Sequence, residues 1–522
     1  MFLKVLLLAV FFIVTIAVGL IFRKKASDVD GFVLGGRSVG PWLTAFAYGT
    51  SYFSAVVFVG YAGQFGWKFG ISSVWIGLGN AFIGSLLPWI ILGRRTRVMT
   101  RHLNSKTMPE FFGGRFGSNA LKIGASVIVF VFLIPYTASL YNGLSRLFEM
   151  AFNIPFTYCI IAMAVLTGIY VIAGGYVATA VNDFIQGIIM LIGIVAVIAA
   201  VLNTHGGFMG SLNALAHVQD AAYQTPGVFA SFFGPDPVNL LGVVILTSLG
   251  TWGLPQMVAK FYSIKSESSI NKGAIISTIF ALVISGGCYF LGGFGRLYPD
   301  AAVVSNGSVV FDAIIPSMLS NLPDILIGIV VILVLSASMS TLSSLVMTSA
   351  STFTIDFLKG NLIKNMDDKK QLLTIRLLIV VFILISSVIA IAQYAGSINS
   401  FIAQLMGVSW GALAGSFLAP FVFGLYWKKV SKISVWCCFI FASSVMILNT
   451  LFRASFPVIL QSPINAGAFV MLAGLIIVPV VSLITKAPDE KEVDGIFACY
   501  EQKVVVEAKR ALAPDEKNGK RA

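Results

Sequence analysis

Apolar stretches long enough to cross a bilayer as helices recur along the chain, near residues 2–22, 41–65, 71–93, 120–147, 155–175, 180–202, 239–259, 274–297, 323–346, 374–395, 399–427, 433–452 and 464–485. A hydrocarbon core about 30 Å thick needs roughly 20 helical residues to span it. Inside that core backbone N–H and C=O groups have no water to bond, so a run of this kind must be a helix. The pattern therefore predicts an all-α polytopic membrane protein with about 13 transmembrane helices in the lipid bilayer. Charge content agrees, at only 11% of 522 residues, about half what a soluble chain carries.

The formal net charge of +13 could point to nucleic acid, but the placement of the charges excludes it. Basic residues gather in alternate loops, at Arg23 to Arg37, Arg94 to Arg101, Lys260 to Lys272, Lys359 to Lys370 and Lys428 to Lys432, while Asn203 to Asn239 contains no Lys or Arg. This is the positive-inside bias, and it puts those clusters in the cytoplasm. The expectation is a multi-pass protein of the plasma (inner) membrane, N-terminus outside and C-terminus cytoplasmic. The first run, Phe2 to Phe22, has no small-residue cleavage site and is followed by positive charge, which makes it a retained span rather than a signal peptide. Five cysteines, mostly inside apolar runs, show neither disulfide nor metal spacing.

One span changes character along its length. The apolar run Ile325 to Leu335 leads into Ser336 to Thr354, where eleven of nineteen residues are Ser or Thr. Hydroxyls without partners are costly in hydrocarbon, so this part must face other helices or an ion path. Ala337, Ser340 and Thr341 fall at i, i+3, i+4 on one face and offer oxygen ligands to a hard cation. Interhelical gluing by small hydroxyl residues is the alternative.

Two other spans are interrupted. Pro41 to Phe65 carries the polar, glycine-bearing patch Ala47 to Ser54, and the seventh span carries Gly250-Thr251-Trp252-Gly253-Leu254-Pro255. They open two groups of five spans, 41–202 and 239–427, which enter the membrane from opposite sides because five is odd. Matching broken helices that open inverted halves point to a transporter with a midplane site, ordinary kinks being the alternative. The remaining parts are a leading helix (1–22), two trailing helices (433–485) and a cytoplasmic tail (486–522). Carbonyls freed by unwinding near Gly49 to Phe53 would complete a sodium shell with the hydroxyl ladder.

Catalytic chemistry is absent, so the chain is not expected to be an enzyme. All three histidines lie in loops, and no glycine loop ends in Lys-Ser or Lys-Thr to hold a nucleotide phosphate. No cofactor is expected beyond Na+ as coupling ion. Asp183, near the start of an apolar span, is either functional or a helix-start aspartate favoured by the dipole. Asp356 is expected at the interface.

Several motifs occur in order: Gly35-Gly36-Arg37-Ser38-Val39-Gly40-Pro41-Trp42, Thr107-Met108-Pro109-Glu110-Phe111-Phe112, Gly174-Gly175-Tyr176 leading to Asp183-Phe184-Ile185-Gln186, Ser338-Met339-Ser340-Thr341, Thr354-Ile355-Asp356, and Gly424-Leu425-Tyr426-Trp427-Lys428-Lys429. From about Gly35 to Lys432 the chain resembles the sodium:solute symporter family. The resemblance implies a LeuT-type fold of two inverted five-helix repeats and sodium-driven alternating access. It also implies a sodium site made by the carbonyls of Thr50, Phe53 and Ala337 and the hydroxyls of Ser340 and Thr341, with Asp183 assisting sodium release. The chain is nearest in motifs to the proline and pantothenate branch, but carries Tyr52 where proline transporters have an aspartate. It has Val56 and Val57 where the sugar branch has polar side chains. Tyr52, Val56, Tyr136 and Trp252 fall at substrate-lining positions, which together suit an amino acid or small carboxylate. Proton coupling, a sodium-independent uniporter and a solute sensor on the same scaffold are the alternative functions.

Overall fold

A computed structural model describes residues 2–223, 225–298, 304–305, 308–320, 322–359, 361–363, 365–395 and 402–501. Lys364, within the basic segment Lys359 to Lys370, and the tail from residue 502 onward lie outside these. The helices in chain order are α1 (Phe2–Ile21), α2 (Val29–Leu34), α3 (Pro41–Tyr52), α4 (Ala62–Phe69), α5 (Val74–Ala81), α6 (Arg94–His102), α7 (Met108–Arg115), α8 (Asn119–Phe152), α9 (Phe156–Asn203) and α10 (Gly207–Ala216). There follow α11 (Pro237–Gly253), α12 (Pro255–Ser263), α13 (Ser268–Gly293), α14 (Ile314–Leu319), α15 (Asp324–Thr352), α16 (Asp368–Tyr394), α17 (Ile402–Tyr426), α18 (Lys432–Leu451), α19 (Pro463–Ile484) and α20 (Glu490–Phe497).

By length and composition nine helices among the described residues can each cross a membrane, and the bent pair α11 and α12 makes a tenth. Two of the nine, Val56–His102 and Phe156–Asn203, have 47 and 48 residues, about 70 Å at 1.5 Å per residue and twice a membrane's thickness. Each turns back at a glycine with a left-handed φ, Gly70 at 63° and Gly175 at 58°. A side chain at Gly70 would in addition meet the Phe229 carbonyl at 2.1 Å. Counting each long helix as two, and adding the shorter apolar helix Val5–Ile21, recovers the thirteen segments read from the sequence. Several run further than hydropathy alone indicates, the ninth as far as Leu358.

The helices sort into centre and periphery by composition. Eighty-three per cent of the spanning window is buried in α15 and α17 against 39% in α16, whose Leu377, Leu384 and Val388 face outward as lipid-facing residues must. On one face of the bundle the basic segments meet. Arg97 donates to the Ile264 and Lys265 carbonyls at 3.0 and 2.8 Å, Arg95 to Leu425 at 3.1 Å, and Arg115 to Gly424 at 2.8 Å. Burial pushes the Arg115 guanidinium down to about 10. The long loop after residue 203 forms α10 and folds over the opposite face, where Arg296 pairs with Asp220 at 2.7 Å. The start of the tail forms α20, with Lys428 paired to Asp494 at 2.7 Å and Phe497 buried.

Two helices are broken at the centre. α3 starts on Pro41, whose missing N–H costs nothing there, and ends at Tyr52, where Phe53 turns extended (φ −108°, ψ 114°). Ser54 restarts the helix, its carbonyl accepting from Val57 and Phe58 at 3.0 Å and its hydroxyl from Val56 N–H at 3.2 Å. The break is thus at Phe53 and Ser54, later than the expected Gly49 to Phe53. Gly49 stays helical, and its missing side chain makes room for Phe280, whose ring a Cβ there would strike at 2.4 Å. α11 and α12 meet at 44° around Leu254, with Pro255 opening the second helix. Gly253 lets α17 approach, since a Cβ there would meet Leu418 N at 2.7 Å.

Candidate ion and solute site

The hydroxyl ladder of α15 faces protein, not lipid. From Ser336 to Thr352 every side chain is buried except Thr348, which is half-buried. Four of its hydroxyls bond only back to their own helix: Ser338 to Val334 O and Ser343 to Ser340 O, both at 2.7 Å, Ser351 to Met347 O and Thr354 to Ala350 O. Ser340, Thr341 and Ser344 reach across to α3.

The break in α3 explains what they find. Among the described residues no backbone N–H bonds the carbonyls of Thr50, Ser51, Tyr52 or Phe53, because the residues four ahead have turned to Ser54 or left the helix. Thr341 Oγ1 lies 3.0 Å from Ala337 O, 3.1 Å from Thr50 O and 3.5 Å from Ser51 O. One hydroxyl proton cannot serve three carbonyls. Ser340 Oγ donates to Thr50 Oγ1 at 2.8 Å, and Thr50 Oγ1 donates to Phe46 O at 2.8 Å. Asp183 is buried beside this cluster, neither of its carboxylate oxygens having a hydrogen-bond partner among the described residues. The result is a buried set of oxygens with fewer donors than acceptors, an environment complementary to a small hard cation. Four of the five expected ligand residues are thereby in mutual contact, and the carbonyl of the fifth, Phe53, at the same break, accepts no backbone hydrogen bond among the described residues.

A buried ammonium that the sequence does not reveal adjoins this cluster. Lys260 was grouped with the exposed basic loop, but it is 3% exposed on α12. Its Nζ donates to Ser344 Oγ at 3.0 Å and lies 5.3 Å above the Tyr176 ring, and it is the main counter-charge acting on Asp183. Ser344 in turn bonds Ser51 at 2.8 Å. A lysine three residues from the end of a helix gives no sequence signal of burial, because its stem can run either way. Asp356 is also enclosed by protein: it is fully buried and accepts from Thr107 Oγ1 at 2.7 Å.

The four expected solute-lining residues divide. Tyr52 stacks at 6.0 Å on Trp410 of α17, and Tyr136 of α8 meets the same indole edge-on at 5.9 Å. Val56 is fully buried just after the break. Trp252 stands apart, its indole donating to Ile83 O at 2.9 Å, and no ring contact joins it to the others among the described residues. The Tyr52 hydroxyl is engaged with Thr247 O at 2.6 Å, whereas Tyr136 OH and Trp410 Nε1 are buried donors without partners among the described residues. Trp410 was not singled out from the sequence; a large aromatic amid the small residues Gly407, Ser409 and Gly411 was the available signal.

Two broken helices facing a hydroxyl-bearing helix define a secondary transporter of the LeuT type. A Na+-coupled sialic acid symporter, solved in a substrate-bound outward-open state, shares this fold with a TM-score of 0.71 at 16% identity, over 93% of this chain and 99% of that one. Mhp1, a nucleobase-cation-symport-1 family transporter in a closed conformation, gives a TM-score of 0.50 at 13% identity over 89% and 98%. A sequence profile described as the sodium:solute symporter family matches residues 32–437, and the chain belongs to that family. Among its relatives, the sodium/proline symporter of Staphylococcus aureus is 29% identical over 446 residues, 82% of each chain. That of strain JH9 is 30% identical over 447 residues with the same coverage. The chain is therefore a multi-pass membrane transporter, a sodium-coupled symporter of a small solute and not an enzyme.

Proposed function

We propose that this symporter imports an amino acid or small carboxylate, in preference to a sugar, by alternating access coupled to sodium entry. Sodium is held by the carbonyls of Thr50, Phe53 and Ala337 and the hydroxyls of Ser340 and Thr341. The observation that carries this is the surplus of buried oxygens where the freed carbonyls of α3 meet Thr341. Asp183, buried beside Ser340 with neither carboxylate oxygen hydrogen-bonded among the described residues, serves as the next stop for the departing ion. In this reading 41–202 and 239–427 are the two inverted repeats, the basic face is cytoplasmic, and the N-terminus lies outside.

Tyr136 OH and Trp410 Nε1 are two buried donors, and a solute carboxylate would satisfy both. The aromatic walls of Tyr52 and Trp410 suit a compact apolar body. The relatives named sodium/proline symporters support an amino acid. The test is a panel of amino acids, short carboxylates and monosaccharides screened for thermal stabilisation of the purified protein with and without sodium. A carboxylate-bearing solute that stabilises only with sodium is the expected result. Stabilisation by a sugar alone, or by the solute equally in sodium-free buffer, would overturn it.

A further inference from the structure

Where α1, the first half of α9 and α16 meet, they leave a lipid-facing groove of about 570 Å³. Its walls are Leu20, Val165, Ile169, Val380 and Leu384, all exposed toward the bilayer. Gly168 forms part of the floor, where a Cβ would meet only Ile383 Cδ1 at 3.8 Å. Along α16 the groove runs from Arg376 to Leu384, about 12 Å at 1.5 Å per residue.

Two arginines close one end. Arg23 follows α1 and Arg376 lies in the early turns of α16, next to the segment whose Asn361 bonds Asn119 on the basic face at 2.9 Å. Among the described residues neither has an acidic partner, and the charged group that acts on Arg376 is Arg23, of the same sign. Arg376 Nε is buried without a hydrogen bond among the described residues, and its guanidinium lies 5.7 Å from the centre of the Phe32 ring. Two like charges at the hydrocarbon edge are costly unless an anion lies between them. An apolar channel capped by a basic pair is complementary to both halves of one molecule: the acyl chain and the negative headgroup.

We propose that this groove binds an anionic phospholipid of that leaflet, its phosphate between Arg23 and Arg376 and an acyl chain lying over Gly168. The full-length protein in neutral detergent is titrated with phosphatidylglycerol, phosphatidylcholine or inorganic phosphate, and retained lipid is read by native mass spectrometry. Wild type should retain phosphatidylglycerol about tenfold better than phosphatidylcholine, given that each basic group near an anionic surface strengthens binding several-fold. Arg23→Gln with Arg376→Gln should erase that preference, and the Arg→Lys pair should keep it. Gly168→Trp fills the floor while leaving both charges and should also release the lipid. Equal retention of the two lipids by wild type overturns the proposal, a measurement that stands whether or not the variants fold. So does a preference that survives the glutamine pair, or displacement of phosphatidylglycerol by inorganic phosphate at equal concentration.

Discussion

Replacing Thr341 by Ala separates ion ligation from helix gluing, because the two roles differ in size. As glue, the hydroxyl joins α15 to Thr50 O at 3.1 Å, and such interhelical bonds average only about 0.6 kcal/mol in a membrane. As a sodium ligand it belongs with hydrogen bonds to charged groups, about 1.5–3 kcal/mol, equivalent to a roughly 10- to 150-fold loss of sodium affinity. The assay follows the melting temperature of the purified protein across a sodium titration, with choline holding ionic strength constant. Stabilisation follows RT ln(1 + [Na+]/Kd), so about 2.7 kcal/mol at 100 times Kd falls to about 0.9 kcal/mol when Kd weakens thirtyfold. Ser340→Ala should act similarly but not additively with Thr341→Ala, since both hydroxyls engage Thr50. A variant whose half-maximal sodium stays within about twofold of wild type, while its sodium-free melting point drops, would refute the ligand assignment.

Three other outcomes follow from the geometry. Gly66→Ala sets a Cβ 2.0 Å from the Gly292 carbonyl, backbone against backbone, and should cost at least about 3 kcal/mol; Gly286→Ala meets nothing within 4 Å and serves as the near-neutral control, both read as folded protein in the membrane. Lys260→Met strands Asp183 and should destabilise by on the order of 3 kcal/mol. Adding Asp183→Asn should recover most of that loss, and simple additivity of the two melting shifts would show the pair to be uncoupled. Asp312, on the face of the long loop, is held up at about 6 because burial outweighs Arg146 and the Ile402 N–H. Its folded value exceeds the ordinary ~3.9, so its contribution is present below about pH 4 and is lost as pH rises through about 6. Asp312→Asn should gain on wild type over that window in a melting-temperature series, and a constant difference from about pH 4 to 7.5 would count against the assignment.

The periodicity of α15 was legible because i, i+3, i+4 spacing is a property of one helix. It aligned Ala337 with Thr341, now 3.0 Å apart. The existence of both breaks was legible from Gly and Pro, but the place of the first was not. Gly49 reads as a breaker, yet it is spent on room for Phe280, and the chain turns at Phe53 and Ser54. The burial of Lys260 and Asp356 was not legible, because a charged residue near a helix end is exposed or buried according to which other element covers it, as Tyr176 and Thr107 do here.

By itself the sequence determined the solvent of this protein, its span count, the segregation of basic loops to one face and the two interrupted helices. Hydrophobic length, charge placement and backbone propensity are local quantities, and a bilayer turns them directly into topology. Only the tertiary structure decided that the carbonyls of residues 50 and 51 meet the Thr341 hydroxyl some 290 positions away. It also decided that Tyr52 and Tyr136 converge on Trp410 while Trp252 does not. Those pairings depend on helix packing at contacts such as Gly66 against Gly292, where the absence of a side chain on each of two distant helices matters only once they touch.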